Sequence, residues 1–213
     1  MSVATPVSPT DRDSRSTPTD LGVGARFTLA VISDDFADII LSAIAGADAS
    51  DLEIETGSVS TVVRGSEQRV LEYVCATIAS AARGGHHVTA SLLLTRGCPG
   101  EVTCATTPGL LAQAAVPTLP LTGIRAAAHW SLYPLGDTGR PGVAPDHLRD
   151  IYAAIDYAKD RGTYEGGEHY ATLLGGDLAD VLATVAAGWV LVGRTVQHVT
   201  SHAIISIASP TER

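Results

Sequence analysis

The stretch Arg83-Gly-Gly-His-His-Val-Thr89 returns in altered form 111 positions later as Arg194-Thr-Val-Gln-His-Val-Thr200. The same offset, with no gap, carries Thr61 onto Thr172, Gly65 onto Gly176, Val70-Leu71 onto Val181-Leu182, Val74 onto Val185 and Ala76 onto Ala187. Such a block marks a tandem duplication, and any fold must therefore be built twice. Within 213 residues each copy has about 100, a normal size for a small domain.

The pattern inside each copy sets the fold class. In the first, Phe27 to Ile32 alternates as a strand, and Ser33-Asp34-Asp35 supplies capping oxygens for a helix carrying Phe36, Ile40, Leu41 and Ile44 on its buried face. Gly46 stops that helix. Leu52 to Glu55 and Val59 to Arg64 read as strands joined by a turn at Gly57-Ser58. Ser66 caps a second helix, with Val70, Leu71, Val74 and Ile78 facing inward, and His87 to Leu94 is the last strand.

The second copy opens at His129 to Pro134, which matches Arg26 to Val31 at an offset of 103. A loop from Gly136 to Pro145 absorbs the difference. A helix with Leu148, Ile151, Tyr152 and Ile155 follows, then strands Tyr164–Gly167 and His169–Leu174. Asp177 caps a helix with Val181, Val185 and Trp189 inside, and His198 to Ile207 closes the copy.

The expected fold is α+β, two tandem ferredoxin-like βαββαβ repeats with antiparallel sheets. The boundaries are a Ser/Thr/Pro-rich disordered tail over 1–23, a first repeat over 24–97, a linker over 98–124 and a second repeat over 125–213. Each sheet has helices on one face, so the other must be covered by sheet-to-sheet packing, within the chain or in a dimer.

Composition excludes some roles. A net charge of −9 lacks the basic stripe of a nucleic-acid binder. No apolar run approaches the ~20 residues of a membrane span, and no signal sequence is visible at the start, which points to the cytoplasm. Of the three cysteines, Cys98 and Cys104 flank a Gly/Pro turn but lack the partners that structural zinc demands, so no metal is expected.

No phosphate loop, zinc-protease helix or nucleophile elbow is present, and no catalytic residue is assigned. The seven histidines form no chelating set. His86 and His87 would point to opposite faces of a strand, and His198 and His202 lie about 13 Å apart at ~3.3 Å per residue. The polar strand positions are more informative: Ser60, Thr61 and Arg64 in the first copy, and Ser131, Tyr133, His169 and Thr172 in the second. A buried polar group without a partner costs about 1–3 kcal/mol. These side chains either bond to one another or serve a small polar heterocycle in a mostly apolar pocket. The acidic balance, including Asp34 and Asp35, would suit a cationic ligand.

The run Gly57 to Ser66, the turn Gly97-Cys98-Pro99-Gly100, Trp130 to Pro134, Gly167 to Ala171 with Gly176-Asp177, and His198 through Pro210 together resemble the YkoF family. That resemblance implies a dimeric, non-enzymatic protein that binds thiamin or its hydroxymethylpyrimidine moiety as ligand, needs no cofactor and serves thiamin-precursor uptake or salvage. Two departures stand out. Ala30 occupies the first-copy place of Tyr133, and Gly57 replaces an acidic residue. Aromatic residues also concentrate in the second copy, which is expected to keep the better site. A regulatory module sensing another metabolite and a ligand-free structural partner subunit are the alternatives from the residues alone.

Overall fold

The computed structural model describes residues 22–97, 111, 114–135 and 146–211. The expected tail, Cys98 and Cys104, and the Gly136–Pro145 loop lie largely or wholly outside them. Each copy has the expected order. The first comprises β1 (Gly24–Val31), α1 (Phe36–Gly46), β2 (Glu53–Thr56), β3 (Thr61–Arg64), α2 (Glu67–Ala82) and β4 (Val88–Arg96). The second comprises β5 (Arg125–Pro134), α3 (His147–Asp160), β6 (Tyr164–Glu168), β7 (Ala171–Asp177), α4 (Leu178–Val192) and β8 (Val199–Ile207).

The copies do not stack face to face. β4 pairs antiparallel with β8 from Val88↔Ile207 to Arg96↔Val199, giving one eight-stranded sheet in the order β2-β3-β1-β4-β8-β5-β7-β6. The join satisfies two long inner edges that would otherwise expose a row of unpaired backbone groups. Packing of one sheet on the other within the chain is therefore corrected to edge pairing, and one apolar core runs through both copies.

Strand alternation decides which side is covered. Ala25, Phe27, Leu29 and Val31 of β1 point to the helix side, as do Ala126, Ala128, Trp130 and Leu132 of β5. Arg26, Thr28 and Ala30, with Ser131, Tyr133, His202 and Ile204, point to the other side, which no helix among the described residues covers. The inner helices are the best packed. Val70, Leu71, Val74 and Ile78 of α2 and Val181, Val185 and Trp189 of α4 are all fully buried. The Ser66 hydroxyl accepts the Arg69 N–H at 3.4 Å, and Asp177 accepts the Ala179 N–H at 2.8 Å, so both expected caps form.

Three local expectations change. Asp35 occupies the N-cap of α1 without a side-chain cap bond; Ser33 Oγ instead accepts the Asp35 N–H at 3.2 Å. Phe36 and Leu41 are exposed, because α1 lies at the outside of the layer and buries only Ala43 fully. His86 and His87 precede β4, and His169-Tyr170 forms a two-residue hairpin turn with both φ values positive, so none of these four stands in a strand.

The described half of the linker lacks helix or strand but is strapped to the helix layer. Gln68 Nε2 donates to the Thr118 carbonyl at 2.7 Å, and the Thr118 N–H donates back to Gln68 Oε1 at 3.0 Å. Asp177 accepts from the Thr122 N–H, the Thr122 hydroxyl and the Gly123 N–H at 3.0, 2.9 and 2.7 Å. Burial opposes the charge of Asp177, but these donors outweigh it and hold its carboxyl below the usual range.

Candidate functional site

Cross-strand register sorts the seven polar strand residues into separate places. Thr61 pairs with Phe27 and Thr172 pairs with Trp130, so both threonines lie on the helix side. Arg64 pairs with Gly24 and belongs to the open face, where Arg26 Nη1 also donates to Ser60 Oγ at 3.2 Å. Ser131 and Tyr133 share that open face on β5. His169 sits in the β6–β7 turn. Only the equivalent pair Thr61 and Thr172 takes the helix side, one per copy on β3 and β7 with β1, β4, β8 and β5 between them, and the other five lie elsewhere.

Each threonine is the middle of a row across three strands on the helix side. In the first copy the row is Phe27, Thr61, Thr56. In the second it is Trp130, Thr172, Gly167. Phe27 and Trp130 are each 2% exposed and give the row an aromatic inner end. Phe27 meets the Tyr73 ring at 6.4 Å between centroids, and the Trp130 indole N–H donates to Ser201 Oγ at 2.8 Å. Of the outer helices, α1 packs against β1 and α2, and α3 packs against α4, β5 and β6. Ala43 of α1 and its equivalent Ala154 of α3 are both buried. Leu41 on α1 and its equivalent Tyr152 on α3 are exposed apolar groups. Thr56 at the outer end is itself exposed, and no helix among the described residues closes over it. Each copy therefore carries, on the helix side, a row that runs from a buried aromatic ring through a threonine to an exposed outer-strand residue, and Thr172 is less buried than Thr61.

Sequence reading missed the outer members of these rows. Thr56 and Gly167 are related by the same 111-residue offset as Thr61 and Thr172, so the repeat itself carried the signal. It also left out a groove of about 320 Å³ between α1 and the end of α2, whose lining includes Asp38, Ser42, Ser80 and His86. The second copy has Arg149, Ala153, Leu191 and Gln197 at those places. Among the described residues no group of three or more His, Cys, Asp or Glu side chains is placed to hold a metal ion. His129 does find an acidic partner, Glu168 Oε2 at 2.9 Å, on the open face.

A model of the YKOF-related family matches residues 22–101 and again 125–212, one match for each copy. The chain belongs to this YkoF-related family. It is also 32% identical over 192 residues, covering 89% of this chain and 92% of the relative, to a protein of Bacillus subtilis (strain 168) named "Putative HMP/thiamine-binding protein YkoF". The two matches to the YkoF-related model skip residues 102–124, most of the connection between the copies. The duplicated architecture thus follows the family pattern, while the contents of the two rows are read from this chain's own residues.

Proposed function

We propose that this protein binds thiamin or its hydroxymethylpyrimidine moiety without chemical turnover, in the clefts at Thr61 and Thr172, and serves uptake or salvage of thiamin precursors in the cytoplasm. The single observation that carries the reading is the repeated row of aromatic ring, threonine hydroxyl and outer-strand residue on the helix side of each copy. An aminopyrimidine offers ring nitrogens and an amine to such a hydroxyl, and its faces to the apolar walls. The name of the Bacillus subtilis relative supports the same ligand class. No helix among the described residues is long and apolar enough to cross a membrane.

Titration calorimetry with hydroxymethylpyrimidine and thiamin tests the reading. Thr172→Val keeps the side-chain shape and removes the hydroxyl, and a lost ligand hydrogen bond of about 0.5–1.5 kcal/mol weakens binding roughly 2- to 13-fold. Wild-type affinity in both Thr61→Val and Thr172→Val would overturn the site.

The open sheet face completes the proposal. Its central positions, among them Leu93, Thr95, Ile204 and Ser206, are only half-buried in the single chain. A one-sided antiparallel sheet with Leu93 and Ile204 among polar neighbours at its centre suits a homodimer that stacks two such faces. Ile204, 38% exposed, is its most exposed large apolar group on β8. Ile204→Glu should turn the dimer into a monomer in light scattering, and a wild-type monomer at micromolar concentration would refute the arrangement.

A further inference from the structure

The two rows differ at one end, and the difference decides what the threonine hydroxyl is free to do. In the first copy Thr61 is 3% exposed, and its Oγ1 lies 3.1 Å from Thr56 Oγ1, so each hydroxyl uses the other. In the second copy the position across from Thr172 is Gly167. A side chain added at Gly167 would meet nothing within 4 Å, and its φ is one that any residue adopts. Thr172 is only partly buried, and no side chain among the described residues bonds to its hydroxyl. A glycine inside a strand forgoes packing and backbone rigidity, a cost that makes sense where something else must approach closely.

We infer that Gly167 is the residue that sets the specificity of the two clefts, by leaving the space and the Thr172 hydroxyl open to a ligand that Thr56 excludes from the first. This inference rests on the ligand reading above and adds which copy is used and why. The second cleft takes a ring with a hydrogen-bonding edge; the first, with its hydroxyls already paired, takes such a ring weakly. One tight site per chain follows, although the architecture is duplicated. The row asymmetry is independent of the aromatic asymmetry, since Tyr133 lies on the open face while Gly167 and Thr172 share the helix side.

The test exchanges the two residues. Gly167→Thr rebuilds the first-copy row in the second copy, giving Thr172 a partner and filling the opening. Gly167→Ala fills less of the opening and offers no hydroxyl. Thr56→Gly opens the first cleft. With hydroxymethylpyrimidine as the titrant, the wild type should show one tight site per chain. Gly167→Thr should weaken that site at least tenfold while the melting temperature holds or rises, and Gly167→Ala should weaken it less. Thr56→Gly should leave the tight site in place and strengthen a second one. Wild-type affinity in Gly167→Thr would overturn this assignment while leaving the ligand reading intact. A wild type that binds neither hydroxymethylpyrimidine nor thiamin would overturn both.

Discussion

Arg96 Nη1 donates to Glu67 Oε1 at 2.8 Å in a place where both side chains are nearly sealed from water, and the same two positions in the second copy hold Ile207 and Leu178. One half of the duplication thus uses an ion pair where the other uses two aliphatic side chains. Burial pushes the Arg96 guanidinium down from its ordinary value, and the Glu67 charge acts against that shift. Its Nε is buried without a hydrogen bond to any described residue.

A buried pair that loses one member leaves an uncompensated charge, at a cost of about 3–5 kcal/mol. Glu67→Ala should therefore lower stability by that order in urea melts. Replacing both partners by their second-copy equivalents, Glu67→Leu with Arg96→Ile, should recover most of the loss, because apolar substitution of a whole buried pair is often neutral or stabilising. A double variant no better than Glu67→Ala would show that the pair has a role beyond packing.

Trp130 depends on a glycine. A Cβ at Gly188 of α4 would stand 2.4 Å from the edge of the indole, well inside contact distance. Gly188→Ala should cost about 1–3 kcal/mol through overpacking and should shift the near-UV circular dichroism of the tryptophans. If Trp130 backs the second cleft, ligand affinity falls with it. An unchanged spectrum and unchanged stability would place the ring elsewhere.

Cys75 reports on the core between sheet and helices. Burial pushes its thiol up to about 11 from 9.0, and the Asp177 charge adds in the same direction. The neutral thiol is favoured in the folded chain, so its contribution to stability is fully present below pH 9.0 and is lost as pH rises toward about 11. In a Cys98→Ser/Cys104→Ser background, Cys75 should resist thiol reagents at pH 8 until the protein unfolds. Cys75→Ala should remove the part of the alkaline stability loss that falls in that window. Rapid labelling under native conditions would contradict the packing.

The repeat makes most of the fold legible in the sequence. Helix caps at Ser66 and Asp177, the buried stripes of α2 and α4 and the order of elements in each copy all follow from local chemistry. The join of β4 to β8 does not, because an edge strand carries no mark of which partner it will meet. Exposure of Phe36 and Leu41 was hidden for a similar reason: periodicity shows that one face of α1 is apolar, not how far a neighbour reaches over it. At the candidate site, spacing singled out Thr61 and Thr172 but not their side of the sheet, which a one-residue change in strand register reverses. The roles of Thr56 and Gly167 emerge only once pairing sets them opposite those threonines.

The most direct test is a crystal soaked with hydroxymethylpyrimidine. A flat ring is expected on the helix side of the second copy, within hydrogen-bond reach of Thr172 Oγ1 and over the position of Gly167. Ring density on the open face beside Ser131 and Tyr133, or a second cleft still empty at saturating ligand, would contradict it.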